Sequence, residues 1–355
     1  MLFASPAMRI GALIKGDFAY HIKQQIDSIW EAVGSDVTGD WRAAPDLMRL
    51  RAWRVNLVLR NEFPDAGTLD FAGATVAFSE RILGSEHPET LRAWVNFAGA
   101  LSSTGNHDSS CTILFRSIRN HNAILGPRHT ETLTVRHNLA FAHMQAGRSG
   151  RAVKMLEDVL EDRLDVLGGD HGDTLMSYHV LGVAYAGLGR TADAIHQLEK
   201  ALDGRRRILG RYHPEVGETL ITLAEVHVRC GNLNEALSMR EESLSLHEHT
   251  FGSDFWKTTI ARSMLADGYA ATGRIDKAVW LYRKNLDEII SALGDDNQVT
   301  AIARRQLLLA QLGRRSLSIP MRHQAAWFVG SASSVSMIAG GWLIHALVGS
   351  AGGAG

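Results

Sequence analysis

The 355-residue sequence predicts an all-α chain of stacked helix hairpins, an α-solenoid superhelix, with a hydrophobic helix near its C-terminal end. Three observations predict it. A Leu/Phe-Gly dipeptide recurs with its glycine at 84, 126, 168, 210, 252 and 294, always 42 residues apart. Between these glycines the apolar residues fall at three- and four-residue steps, the spacing of one helix face. The final segment differs: residues 325–349 are 25 positions without a charged group.

In chain order, residues 1–45 carry one helical pattern, 18–33, and no assignable role. The array follows over 46–315, with room for about thirteen antiparallel helices. Its first pair is diverged, because Leu50-Arg-Ala-Trp53 echoes Leu91-Arg-Ala-Trp94 one residue out of phase. Later pairs keep register. Three residues after the glycine stand His87, His129, His171 and His213, then Phe255 and Asn297, and six after it Thr90, Thr132, Thr174, Val216, Thr258 and Thr300. A large apolar residue returns as Phe97, Leu139, Leu181, Leu223, Leu265 and Leu307. A second glycine, from Gly105 to Gly273, precedes Ser110, Ala152, Ala194, Ala236 and Ala278 by five.

Each period reads as two helices. Residues 172–188 bury Leu175, Tyr178, Leu181, Tyr185 and Leu188 on one face, and Gly189 stops that helix. Residues 190–209 carry the apolar stripe Ala194, Ile195, Leu198, Ala201, Leu202, Ile208 and Leu209, and Gly210 follows where a helix ends. Gly182 and Ala194 mark the close approach of the two. Pro88 and Pro214 sit in the first turn, where a missing N–H costs nothing. One such pair cannot bury its apolar face alone, so the pairs must stack.

The units Leu-Gly-x-x-His-Pro-Glu-Thr, Asn-Leu-Ala and Gly-Arg-x-x-x-Ala resemble tetratricopeptide repeats. The spacing of 42 is similar to the kinesin-light-chain type, and the resemblance covers residues 46–315. It implies a scaffold for a protein or peptide partner, with the first helix of each pair lining a concave groove. It also implies that an asparagine before the Leu-Ala pair meets the backbone of an extended peptide. The matching positions are Asn96 and Asn138, then Val180, Thr222, Met264 and Gln306. One turn earlier stand Arg92, Thr134, Met176, Glu218, Ile260 and Ile302. Arg92, Asn96, His137, Asn138, Met176, Thr222 and Met264 are therefore the candidate groove residues. The groove reads as polar at its N-terminal end and apolar toward its C-terminal end. Either a ligand or the array's own helices cover the apolar end.

Composition and motifs exclude much else. A formal net charge of −1 argues against a nucleic-acid binder. Cys111 and Cys230 are 119 residues apart, which supports neither a disulfide framework nor a zinc finger. No Walker loop, HExxH or GxGxxG occurs, so the chain reads as a non-enzyme without a cofactor. The periodic histidines do not read as metal ligands. Equivalent residues of helices packed about 8–10 Å apart cannot share an ion with bonds of about 2 Å. They read as turn residues that cap or wedge the first helix.

The charge is uneven. Residues 297–355 hold no acid and five arginines, leaving residues 1–296 at −6. Arg314, Arg315 and Arg322 form a basic collar before and within a linker at 316–323. The segment 324–349 is then expected to be a transmembrane helix, followed by a tail at 350–355. As a helix, 325–349 would span about 37 Å, enough for a hydrocarbon core of about 30 Å. Its small residues recur every four positions, Ala326–Gly330–Ser334 and Ala332–Ser336–Gly340, as in associating membrane helices. The collar places the repeats in the cytoplasm, and the N-terminus has no secretory signal. Three functional readings stay open. One is an interaction scaffold anchored by its C-terminal helix. Another is a repeat-regulated, membrane-disrupting effector of a bacterial defence or cell-death system, self-associating through that helix. The last is a cytoplasmic adaptor whose last helix docks on the array.

Overall fold

The computed structural model describes residues 66–252, 256–293, 295 and 298–312. Twelve α-helices and no strand occur among them. These are α1 (Ala66–Leu83), α2 (Pro88–Ser103), α3 (His107–Leu125), α4 (Thr130–Gln145), α5 (Ser149–Leu167) and α6 (Gly172–Gly187). Then come α7 (Thr191–Leu209), α8 (Pro214–Arg229), α9 (Leu233–Phe251), α10 (Trp256–Ala271), α11 (Ile275–Leu293) and α12 (Gln298–Gln311). From α2 to α11 the first helix of every pair has 16 residues and the second 19. The helices expected at 172–188 and 190–209 thus form within a residue of their predicted ends. The described chain divides after Ala146 into two compact units, α1–α4 and α5–α12, and within each unit every helix packs on its neighbour in sequence.

The periodic histidines are the N-caps. His87, His129, His171 and His213 each lie in extended backbone, and Nδ1 accepts the N–H two residues on at 3.1–3.3 Å. This satisfies one of the four orphan donors of a helix start. The preceding turn needs glycine: Gly168 closes α5 at φ 81, ψ 166, where a Cβ would be strained. Thr132 and Thr258 pin that turn, Thr132 Oγ1 donating to Gly126 O at 2.8 Å and Thr258 Oγ1 to Gly252 O at 2.7 Å.

Close packing follows from paired sizes. In unit two a Cβ on Gly182 would come within 2.7 Å of Leu198 Cγ and 3.1 Å of the Ala194 carbonyl, so the expected close approach is there. A second pair alternates. Leu175 of α6 fills the space left by Gly204 of α7, whereas Gly217 of α8 yields to Leu246 and His247 of α9. Leu156, Leu181, Leu198, Leu220 and Leu223 are buried along this unit, and Leu237, Leu265, Leu281 and Tyr282 continue its core. In unit one Leu91, Leu114, Leu133 and Met144 do the same.

Several expectations lie outside the described residues: the segment 1–65, the collar Arg314, Arg315 and Arg322, and the association positions Gly330, Ser334, Ser336 and Gly340. No helix among the described residues is long and apolar enough to cross a membrane.

Candidate peptide-binding face

The expected groove residues occupy unequal places. Arg92, 42% exposed, is tied to Glu89 at 2.9 Å and to Glu131 of α4 at 2.8 Å, so it braces two first helices in unit one. Asn138 is half-buried, but Asn96 is 8% exposed and belongs to the packing. His137 is buried and corrects the expectation. It occupies the register position of His179, which faces Arg205 of the second helix α7, so this position is a core position and not a groove one. Thr222 is also buried, its hydroxyl donating to Glu218 O at 2.9 Å within α8. Met176 and Met264 are half-open. Asn96→Ala is expected to lower the melting temperature by several degrees, whereas Asn138→Ala leaves it within about 2 °C, measured by thermal unfolding of each single variant.

In unit two a second set of residues stays partly open on the first helices. Asp173 and Met176 of α6, Glu215 of α8 and Ile260 of α10 are half-buried, whereas the paired side chains of Glu218 of α8 and Lys257 of α10 are only 18% and 10% exposed. They hold two stripe positions, three residues apart, in each helix. Helices α6 and α8 are in contact. The position of Met176 changes from Arg92 and Thr134 to Glu218 and Ile260, while the position of Asp173 stays acidic in Glu89, Glu131 and Glu215 and turns basic at Lys257.

Behind this face, arginines from the second helices reach forward between the first ones. Arg205 of α7 is buried, and its Nη1 donates to Thr219 Oγ1 at 2.7 Å and to Glu215 O at 3.1 Å. Its Nη2 points at Met176 Sδ, 3.7 Å away, and Nε lies 3.2 Å from the Glu215 carboxylate. Arg163, one period earlier on α5, binds Asp173 O and Ser177 Oγ, both at 2.8 Å. Lys257 meets Glu218 at 3.3 Å. Burial, and then the Arg205 charge, hold the His179 ring well below the ordinary histidine range. Burial also lowers His247, although its ring N–H donates to the Ser243 carbonyl at 2.7 Å.

At the far end of the stripe two carboxylates stand one period apart, Glu225 and Asp267. Phe141 and Val183 hold the equivalent positions earlier in the chain. Glu225 pairs with Arg240 of α9 at 3.3 Å, both buried, and Arg240 Nη1 donates to Met264 O at 3.0 Å, linking α8 to α10. The Tyr282 hydroxyl of α11 donates to Asp267. Burial pushes the Asp267 carboxyl above its ordinary 3.8, against that hydrogen bond and the Arg240 charge. A raised acid contributes stability that is present below 3.8 and lost as pH rises through its folded value. Asp267→Asn keeps an acceptor for Tyr282 and is expected to raise the melting temperature by about 2–4 °C at neutral pH. Near pH 3 it should change little; melting curves across the range check the sign.

Sequence reading missed these ionic contacts. Their signal was present: Arg163 and Arg205 are 42 residues apart, as are Glu225 and Asp267. Charges at register positions that are apolar elsewhere could have marked them.

Known proteins were compared with this chain. The tetratricopeptide-repeat family model matches residues 89–165, 131–207 and 188–249. The nearly identical TPR-like repeats of a Podosopora anserina protein assigned as a kinesin light chain are 25% identical. They cover 58% of this chain and 97% of that one, with a TM-score of 0.52. BtubC (BKLC) of P. vanneervenii is 15% identical, covers 64% and 91%, and has a TM-score of 0.56. A Rap protein complexed with competence and sporulation factor is 13% identical, covers 96% and 94%, and has a TM-score of 0.59. The last two show the fold alone. No curated protein matches the sequence.

Proposed function

The chain is a tetratricopeptide-repeat protein of the kinesin-light-chain-like type, and from that premise we propose that it is an interaction scaffold binding an extended peptide across α6, α8 and α10. One observation carries the reading. The first-helix position held by Met176, Glu218 and Ile260 changes character along the array, beside a position that is acidic in Asp173 and Glu215 and basic in Lys257. A regular helical frame that presents different side chains at one first-helix position suits a module that reads a sequence. The Rap structure, of the same fold, is a complex with competence and sporulation factor.

The test selects extended peptides on the full chain from a random library and measures their affinity by titration. Met176→Asp with Ile260→Asp should weaken binding at least tenfold, about 1.4 kcal/mol, with an unchanged melting temperature. Trp280→Ser, on exposed α11 surface, should leave it unchanged. Equal affinity in all three proteins overturns the reading.

Residues 324–349 further hold the scaffold at a membrane, with the repeats on the cytoplasmic side. The uncharged run and the arginines before it support this. The full chain should sediment with membranes of expressing cells, and a chain ending at residue 322 should not. If both stay soluble, the anchor is lost. The small-residue rows favour a second reading, in which the segment self-associates and breaches the membrane. Toxicity of the isolated tail that Gly330→Leu with Gly340→Leu abolishes would select it.

A further inference from the structure

In the earlier first helices α2, α6, α8 and α10 one stripe is turned to the second helix of the same pair. On α6 that stripe is Leu175, His179, Gly182 and Ala186, all buried. On α12 the same register positions are Ala301, Arg305, Leu308 and Leu312, and all four are exposed, Leu308 by 54% and Leu312 by 58%. The residue type changes too. Ala98, Ala140, Gly182, Ala224 and Ala266 hold the position of Leu308, each of them buried. At Gly182 even a Cβ would crowd Leu198, so a leucine there cannot face a second helix packed in the usual way.

The sequence after α12 agrees. Where the glycine and the small residue of a next second helix belong, Arg315 and Pro320 stand instead. Whatever covers α12 must therefore bring its own small residues to receive two leucines one turn apart. Such a segment lies in the same chain: 325–349 is uncharged and has small residues every four positions in two rows. Twelve residues lie between it and Leu312, a reach of up to about 43 Å, which is ample to fold back along α12.

We propose that the open face of α12, through Leu308 and Leu312, is the docking site for the chain's own residues 325–349, with α12 and the lipid competing for that segment. The inference rests on the membrane reading for its second competitor only. Docking itself stands on α12.

Hydrogen exchange on the purified full chain in lipid-free buffer tests it, comparing wild type with Leu308→Asp, Leu312→Asp. Both side chains are exposed, so the variant should melt as wild type does; Leu308→Ala, Leu312→Ala serves as a milder second variant. Amides within 325–349 should exchange at least tenfold faster in the aspartate variant and to a lesser degree in the alanine one, with the protein monomeric throughout. Equal exchange in all three proteins overturns docking. Protection that rises with protein concentration, in a dimer that the variant dissociates, also overturns it, because a second copy then covers α12. Vesicles of phosphatidylglycerol and phosphatidylethanolamine separate the two readings. The aspartate variant should bind them several-fold better than wild type. If exchange accelerates and neither protein binds, docking stands and the anchor falls.

Discussion

Arg240→Leu is expected to cost about 3–5 kcal/mol of stability, although leucine is the residue that the repeat itself uses there. Leu114, Leu156 and Leu198 hold the equivalent position and are buried. The cost arises from what is left behind. Glu225 is buried against Arg240, and without the guanidinium its carboxylate is an uncompensated charge in the interior. The Met264 carbonyl loses a donor as well, and Asp267 loses the positive charge that holds its carboxyl down. The double variant Glu225→Val, Arg240→Leu rebuilds the Val183–Leu198 pair of the preceding repeat. It should return to within about 1 kcal/mol of wild type or exceed it, because a buried ion pair is often no more stable than a packed apolar one. Denaturant unfolding of the two singles and the double gives the coupling directly. Additive losses would show that Glu225 and Arg240 are held by other groups.

Gly217→Leu is the second large effect, about 3 kcal/mol, and again the apparent consensus is the wrong residue. Leu91, Leu133 and Leu175 hold this position in the earlier first helices, all buried. In α8 the space is taken: a Cβ on Gly217 would lie 2.7 Å from His247 Cε1 and 3.1 Å from Leu246 Cδ2. His247 cannot swing aside without giving up its bond to the Ser243 carbonyl. Gly217→Leu with Leu246→Gly copies the Leu175–Gly204 arrangement and should recover part of the loss in a thermal melt. A silent Gly217→Leu would mean that α8 and α9 part more easily than their contacts imply.

These two sites mark where the sequence was legible and where it was not. A fixed period reports backbone requirements, so Gly168, His171 and the ends of α6 and α7 could be placed from the markers alone. Packing partners across a hairpin are a relation between two positions, and neither Gly204 nor Gly217 reveals its large partner until the helices are side by side. The groove residues suffered from the same limit. Asn96 matches the groove asparagine that the resemblance implies, and His137 is the neighbour of its counterpart Asn138. Register decides instead: His137 shares the stripe of Leu133 and Ala140, which the fold buries. Arg205 was overlooked for the converse reason, because a charged residue on a second helix reads as solvent-facing until its guanidinium is seen beside Met176.

The central claim, that the open stripe of α6, α8 and α10 receives a peptide, is tested most directly by hydrogen exchange of the full chain with and without a selected peptide. Exchange should slow only in Gly172–Gly187, Pro214–Arg229 and Trp256–Ala271, with α7, α9 and α11 unchanged. Protection confined to α7, α9 or α11, with none on α6 or α8, would contradict it.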